Sequence, residues 1–176
     1  FLQHKFAAIC MHPDEIACKE LWTKAFGDDE QFADSFIMRY YSRNRMLTAE
    51  VEEHMAAMLH LLPFQTELGR TTYIYGVATD PAFQGRGLAS QLMREAMERI
   101  AEQGDDAALL IPTPGKEWLR DFYGRFGFEG DIPAEFVSPD RFDFGTGDTA
   151  TDRAMVWRRN PEGPLPEKLT AVYDKQ

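Results

Sequence analysis

Between Pro13 and Phe26 the apolar positions Cys18, Leu21, Trp22, Ala25 and Phe26 fall on one stripe, the spacing of an amphipathic helix with Pro at its start and Gly27 just past its end. A second helix is predicted to open at Asp28, an N-cap residue with Gln31 three positions on, and to carry Phe32, Phe36, Ile37 and Tyr40 along one side. A third runs from about Gly87 to Gln103. Its Leu88, Leu92, Ala96 and Ile100 face inward, Arg94, Glu95, Glu98, Arg99 and Glu102 face water, and Gly104 stops it. Strand-like runs lie before, between and after these helices. Residues 5–10 read as a short first strand, residues 45–51 and 54–62 as a hairpin turning at Glu52-Glu53 and closed by Pro63, and residues 71–79 and 107–111 as two more strands. Further strand-like pieces appear near 135–138 and 153–158, separated by a Gly- and Asp-rich loop. The Pro- and Lys-rich segment from Asn160 is expected to wrap the surface or fray. The pattern predicts an α/β (α+β) domain with a central mixed, mostly antiparallel sheet flanked by helices.

The run Gln84-Gly85-Arg86-Gly87-Leu88-Ala89 stands between the strand over residues 71–79 and the third helix. A helix start leaves backbone N–H groups without intrahelical partners and carries partial positive charge, so it receives an anion readily. Gly85 and Gly87 remove the side chains that would hold a ligand's oxygens away from the main chain. A Walker loop would need a Gly-Lys-Ser/Thr ending, which is absent here. A dinucleotide fingerprint would want Gly or Ala where Ser90 stands and a glycine turn at the strand end, where Asp80-Pro81-Ala82-Phe83 intervenes.

The Gln-x-x-Gly-x-Ala spacing resembles the acyl-CoA signature of the GNAT superfamily of N-acetyltransferases, and Lys116 to Phe128 resembles the Phe-Tyr-x-x-x-Gly-Phe ending of that superfamily's next helix. The resemblance runs from about Lys5 to Arg159, giving an acetyltransferase domain over residues 1–159 and a tail over 160–176. It departs where family members often carry Asn and Ala, since Lys116 and Leu119 stand there. The resemblance implies transfer of an acetyl group from acetyl-CoA to a primary amine in a ternary complex. Gln84, Gly85, Arg86, Gly87, Leu88 and Ala89 would hold the pyrophosphate, and the backbone of Val77, Ala78 and Thr79 would pair with the pantetheine arm. Gly76 would mark the bulge that splays this strand. Tyr123 matches the family's tyrosine that protonates the coenzyme thiolate, although Trp118, Leu119, Phe122, Tyr123 and Phe126 also fit a packed helix face. An acyltransferase for a longer acyl chain and a catalytically silent acyl-CoA sensor or interaction module are the alternatives.

A general base is not evident, because residues 71–79 contain no Asp or Glu. A water chain, Glu67 or no base at all remain open. His54 and His60 share strand parity, so both could face the groove, yet about 20 Å of strand separates them, too far for a shared metal.

Length and composition narrow the partners. The chain has 176 residues, one domain's worth, with a formal charge of −10. That charge disfavours nucleic acid and anionic membranes, and favours a cationic acceptor at a groove flanked by Glu52, Glu53 and Glu67. Cys10 and Cys18 make neither a disulfide framework nor a ligand cluster, and no apolar run approaches the ~20 residues that span a bilayer. A cytoplasmic enzyme without metal is expected, and a homodimer is compatible with this reading.

Overall fold

The computed structural model describes residues 12–146 and 152–175, so the strand expected over residues 5–10 lies outside the described residues. Two compact units divide the chain: Phe1–His60 with Gly76–Leu92, and Leu61–Tyr75 with Met93–Gln176.

In the first unit, helix α1 (Pro13–Phe26) has the predicted bounds. His12 caps it: its Nδ1 accepts from Asp14 N at 3.1 Å, while the Glu15 carboxylate accepts from His12 N at 3.4 Å. Gly27, at φ 67°, ends it and donates its N–H to Thr23 O. Helix α2 (Glu30–Tyr40) begins one residue later than expected. Asp29, not Asp28, is the cap, and its Oδ1 accepts from Phe32 N at 2.8 Å. Asp28 instead accepts from Trp22 Nε1–H at 3.0 Å. Strand β1 (Met46–Val51) pairs antiparallel with β2 (His54–Thr66) through a two-residue turn whose Glu52 and Glu53 both hold positive φ, 52° and 66°.

β2 corrects two expectations. Its pairing shifts from Ala49↔Ala57 to Glu50↔Met55, so Ala56 is an extra residue and the alternation between His54 and His60 is broken. His54 is exposed at the hairpin, whereas His60 is buried. Nor does Pro63 end the strand. Pairing with β1 stops at His60, pairing with the last strand starts at Phe64, and Pro63 meets Asp174 through its carbonyl alone, so its missing N–H breaks no recorded pair.

The second unit contains β4 (Ala107–Leu110), β5 (Glu129–Val137), β6 (Arg153–Arg158) and β7 (Leu169–Tyr173). With β3 (Gly69–Thr79), the strand order is β1-β2-β3-β4-β6-β5-β7, and β7 also pairs with β2, closing a ring. The segment after Asn160 is therefore more than a surface tail: β7 pairs parallel with β5 over Ala134–Val137 and antiparallel with β2 at Phe64 and Gln65. Inside this unit Phe64, Tyr73, Phe136 and Phe144 pack edge-on, stacked or tilted, with centroids 4.9–6.3 Å apart. The Tyr73 hydroxyl donates to Phe144 O at 2.7 Å. Helix α3 (Leu88–Glu102) buries Leu92, Ala96 and Ile100 as predicted, and Met93 besides. Helix α4 is Trp118–Gly124.

His60 couples this fold to pH. Its ring stands edge-on to Phe36, with centroids 4.9 Å apart, and burial lowers its pKa from 6.5 to about 3. Because the folded value lies below the unfolded one, the unfolded chain takes up this proton first. Stability is full above 6.5 and falls as pH drops toward 3, by up to about 1.4 kcal/mol per pH unit from this group. Urea unfolding of His60→Leu at a series of pH values should show a shallower acid loss than the parent, whatever the two stabilities are at neutral pH.

Candidate active site

Gly76 interrupts β3 at φ 65°. A Cβ built there would stand 2.9 Å from Trp22 Cζ3 and 3.1 Å from His60 Cδ2, so glycine is required by backbone conformation and by space together. The bulge expected at this residue is thus a positive-φ kink with an aromatic ring seated against it. Recorded pairing of β3 with β4 covers only Thr71–Tyr73. Beyond the kink, Ala78 is buried while Val77 and Thr79 are half-buried.

Asp80 then turns the chain. Its N–H donates to the bulge residue Ala56 O at 2.7 Å, its Oδ1 accepts from Ala82 N at 2.9 Å, and its Oδ2 lies 3.4 Å from Lys24 Nζ. The Ala82 N–H chiefly, with Lys24 and His54, holds the Asp80 carboxyl below its ordinary range. Sequence reading passed over Asp80 as a spacer, though Asp-Pro is itself a turn-initiating pair. A single 3-10 turn, Pro81–Phe83, follows.

Gln84, Gly85, Arg86 and Gly87 are all exposed. Gly85 and Gly87 hold φ of 79° and 74°, and a Cβ on either would meet no protein atom within 4 Å. The Arg86 guanidinium sits 5.2 Å from the Phe83 ring centroid, which anchors its stem beside the loop. Gln91 N donates to Gly87 O, so the N–H groups of Leu88, Ala89 and Ser90 stand at the start of α3 without i−4 partners, and the first turn carries no acidic residue. Main-chain donors, positive helix end and open space coincide here, as an anion site requires.

In the second unit, Tyr123 is 6% exposed, against Phe122 and Phe128. Burial pushes its pKa up to about 12, so it carries its proton throughout the neutral range. Leu119, one turn before it on the same face, is buried with it, whereas Trp118, expected on the packed face, is 62% exposed. Glu67 is exposed, and both its oxygens accept from the one Thr170 N–H, at 2.8 and 3.1 Å. Glu52 and Glu53 are exposed at the β1–β2 turn. In the first unit, Glu53, with Glu20, Lys24, His54 and Asp80, lines a cavity of about 330 Å³ beside the Asp80 turn. Among the described residues no cluster of His, Cys, Asp and Glu could hold a metal, and no helix is long and apolar enough to cross a membrane.

Residues 12–130 match the family model of the acetyltransferase (GNAT) domain. The chain belongs to the GNAT acetyltransferase family. Its fold is that of solved GNAT structures. The Escherichia coli GNAT family N-acetyltransferase YhbS, solved in complex with CoA, is 18% identical and aligns over 93% of this chain and 86% of its own with a TM-score of 0.64. A GNAT acetyltransferase from Brucella melitensis, solved with acetyl-CoA, is 16% identical over 93% and 92% of the two chains, with a TM-score of 0.61. No curated protein matches the chain.

Within this GNAT domain the kink at Gly76 leaves no room for a single added methyl group. Gly76→Ala should cost about 2–5 kcal/mol, combining a left-handed backbone with a clash against Trp22. A double-mutant cycle with Trp22→Leu should recover the steric part and leave the backbone part, read as the difference in unfolding midpoints.

Proposed function

We propose that the chain is an acetyl-CoA-dependent N-acetyltransferase that moves an acetyl group directly to a primary amine in a ternary complex. The observation that carries this reading is the open loop Gly85–Gly87 at the start of α3, in a chain of the GNAT family. Two relatives of the same fold were solved with CoA or acetyl-CoA. On this reading the main chain from Gln84 to Ala89 grips the pyrophosphate, and Arg86, held against Phe83, lends its charge. Val77 to Thr79 lie between the Gly76 kink and the loop, and their backbone pairs with the pantetheine arm.

The nucleophile is the acceptor's neutral amine, and its attack on the thioester forms a tetrahedral oxyanion. Collapse breaks the C–S bond and needs a proton for the departing thiolate. Tyr123, protonated and largely shielded from water, is the proposed acid. A cationic acceptor is favoured by the −10 charge and by the Glu20, Glu53 and Asp80 carboxylates around the cavity beside the turn.

Gly87→Glu places a charged side chain in the open space of the loop and forces a left-handed backbone on a residue that resists it. Calorimetry should show coenzyme A affinity reduced about tenfold or more, worth ~1.4 kcal/mol. Unchanged affinity in a folded variant would remove the phosphate-loop assignment.

Tyr123→Phe keeps the ring and loses the donor. Thiol release from acetyl-CoA with the best amine of a screen should slow by ~10²–10⁴, with coenzyme A affinity and melting temperature nearly unmoved. An unaltered single-turnover rate would return Tyr123 to the core.

A further inference from the structure

A pocket of about 210 Å³ opens at the turn between β4 and α4, bounded by Thr113, Lys116, Glu117, Arg120 and Arg153 among others. Its charge runs against that of the chain: three cations face one lining carboxylate in a protein of net charge −10. The two arginines are braced from behind. Asp131 Oδ1 accepts from Arg120 Nη2 at 3.1 Å and from Arg153 Nε at 3.0 Å. The carbonyls of Gly130 and Asp131 accept from Arg120 Nη1 at 3.0 Å and from Arg153 Nη2 at 2.9 Å.

Two guanidiniums therefore share one counter-charge, and each keeps further N–H donors beyond those recorded. Lys116 adds an exposed ammonium and Thr113 an exposed hydroxyl, and neither side chain has a partner among the described residues. The turn that presents them is stiff. Pro112 and Pro114 flank Thr113, Gly115 holds φ 84°, and Lys116 N donates back to Thr113 O at 3.4 Å. A preset fork of donors with excess positive charge is the arrangement that selects an oxyanion.

We infer that this pocket binds a phosphate or carboxylate group, with Lys116 supplying the charge that Asp131 does not neutralise. Two sources carry that chemistry: the 3′-phosphate of the proposed cofactor, or an acidic group on the acceptor. The first source rests on the proposed cofactor, whereas the pocket itself does not.

Inorganic phosphate titrated into the full ¹⁵N-labelled chain tests the pocket directly. Saturable shifts are expected at the amides of Thr113, Gly115, Lys116 and Glu117. Lys116→Gln should weaken the fitted affinity about tenfold and Lys116→Arg should restore it. Absence of saturation, or equal affinity in Lys116→Gln, overturns the inference.

Calorimetry with coenzyme A and with dephospho-coenzyme A, which lacks the 3′-phosphate, separates the sources. A preference for coenzyme A that Lys116→Gln erases assigns the pocket to the cofactor. Equal binding of the two coenzymes, in a chain whose pocket still takes phosphate, assigns it to the acceptor. A chain that takes phosphate at the pocket but binds neither coenzyme removes the proposed function and leaves the oxyanion site standing.

Discussion

The contact of Trp22 with Gly76 is the constraint around which the first unit is arranged. Trp22 is held on several sides: Phe36 stacks on it at 4.9 Å, Phe26 meets it edge-on at 5.2 Å, and its indole N–H is fixed by Asp28. A ring so confined does not yield to a methyl group, so the strand must pass it as glycine with positive φ. That kink sets the direction in which Val77, Ala78 and Thr79 leave. Asp80 fixes where they arrive, because its N–H reaches the carbonyl of the bulge residue Ala56 while its side chain caps the next turn. Two departures from regular strand, one in β2 and one in β3, thus converge on the start of the Gly85–Gly87 loop.

The second unit is secured differently, by buried polar anchors beneath an aromatic interior. Asp105 is 2% exposed, yet its carboxylate is satisfied: Thr72 Oγ1 donates to one oxygen at 2.5 Å and Arg70 Nε approaches the other at 3.0 Å. Its carbonyl accepts from Arg159 Nε at 2.8 Å, so one residue ties the starts of β3 and β4 to the end of β6. Next to Thr72 in β3, the Tyr73 hydroxyl is spent on Phe144 O, which holds the loop after β5 against the aromatic cluster. Closure of the strand ring by β7 leaves this part of the sheet without the free edge that invites association.

Which of these features could be read from residue order follows from the range of the forces involved. Helices α1 and α3 carry their own caps, stripes and stops within one segment, and their bounds were legible to within a residue. So was β6, and so was the place of the glycine loop, which is marked by the strand before it and the helix after it. What escaped depends on distant partners. Pro63 ends a strand by local propensity, but here it falls where one neighbouring strand has run out and another begins. β7 carries a local strand signal in Thr170, Val172 and Tyr173, but it is only five residues long and follows a Pro-rich stretch, so its pairing with β2 and β5 is what identifies it. The shared parity of His54 and His60 assumed an unbroken strand, and a bulge leaves no signature in an Ala-Ala pair. Glu67 looked free because its partner, the Thr170 amide, lies 103 residues away.

The buried pair of Cys18 and His60 bears on how an acyl group could travel. Cys18 is the one free cysteine among the described residues, and its Sγ lies 3.7 Å from His60 Nε2, close enough to suggest a thiolate–imidazolium nucleophile. The environment acts against that ion pair from both sides. Burial first, and the Glu15 carboxylate second, push the thiol up to about 12, while burial lowers the imidazole to about 3. Between those limits both groups are neutral, and the thiol points its proton toward Met58 Sδ, 3.6 Å away. A cysteine with no exposed surface and no thiolate fraction is a poor acyl carrier. On the proposed function, transfer without an acyl-cysteine intermediate is then the economical route, and the proton balance falls on the acceptor amine, water and the proposed acid Tyr123, not on this pair.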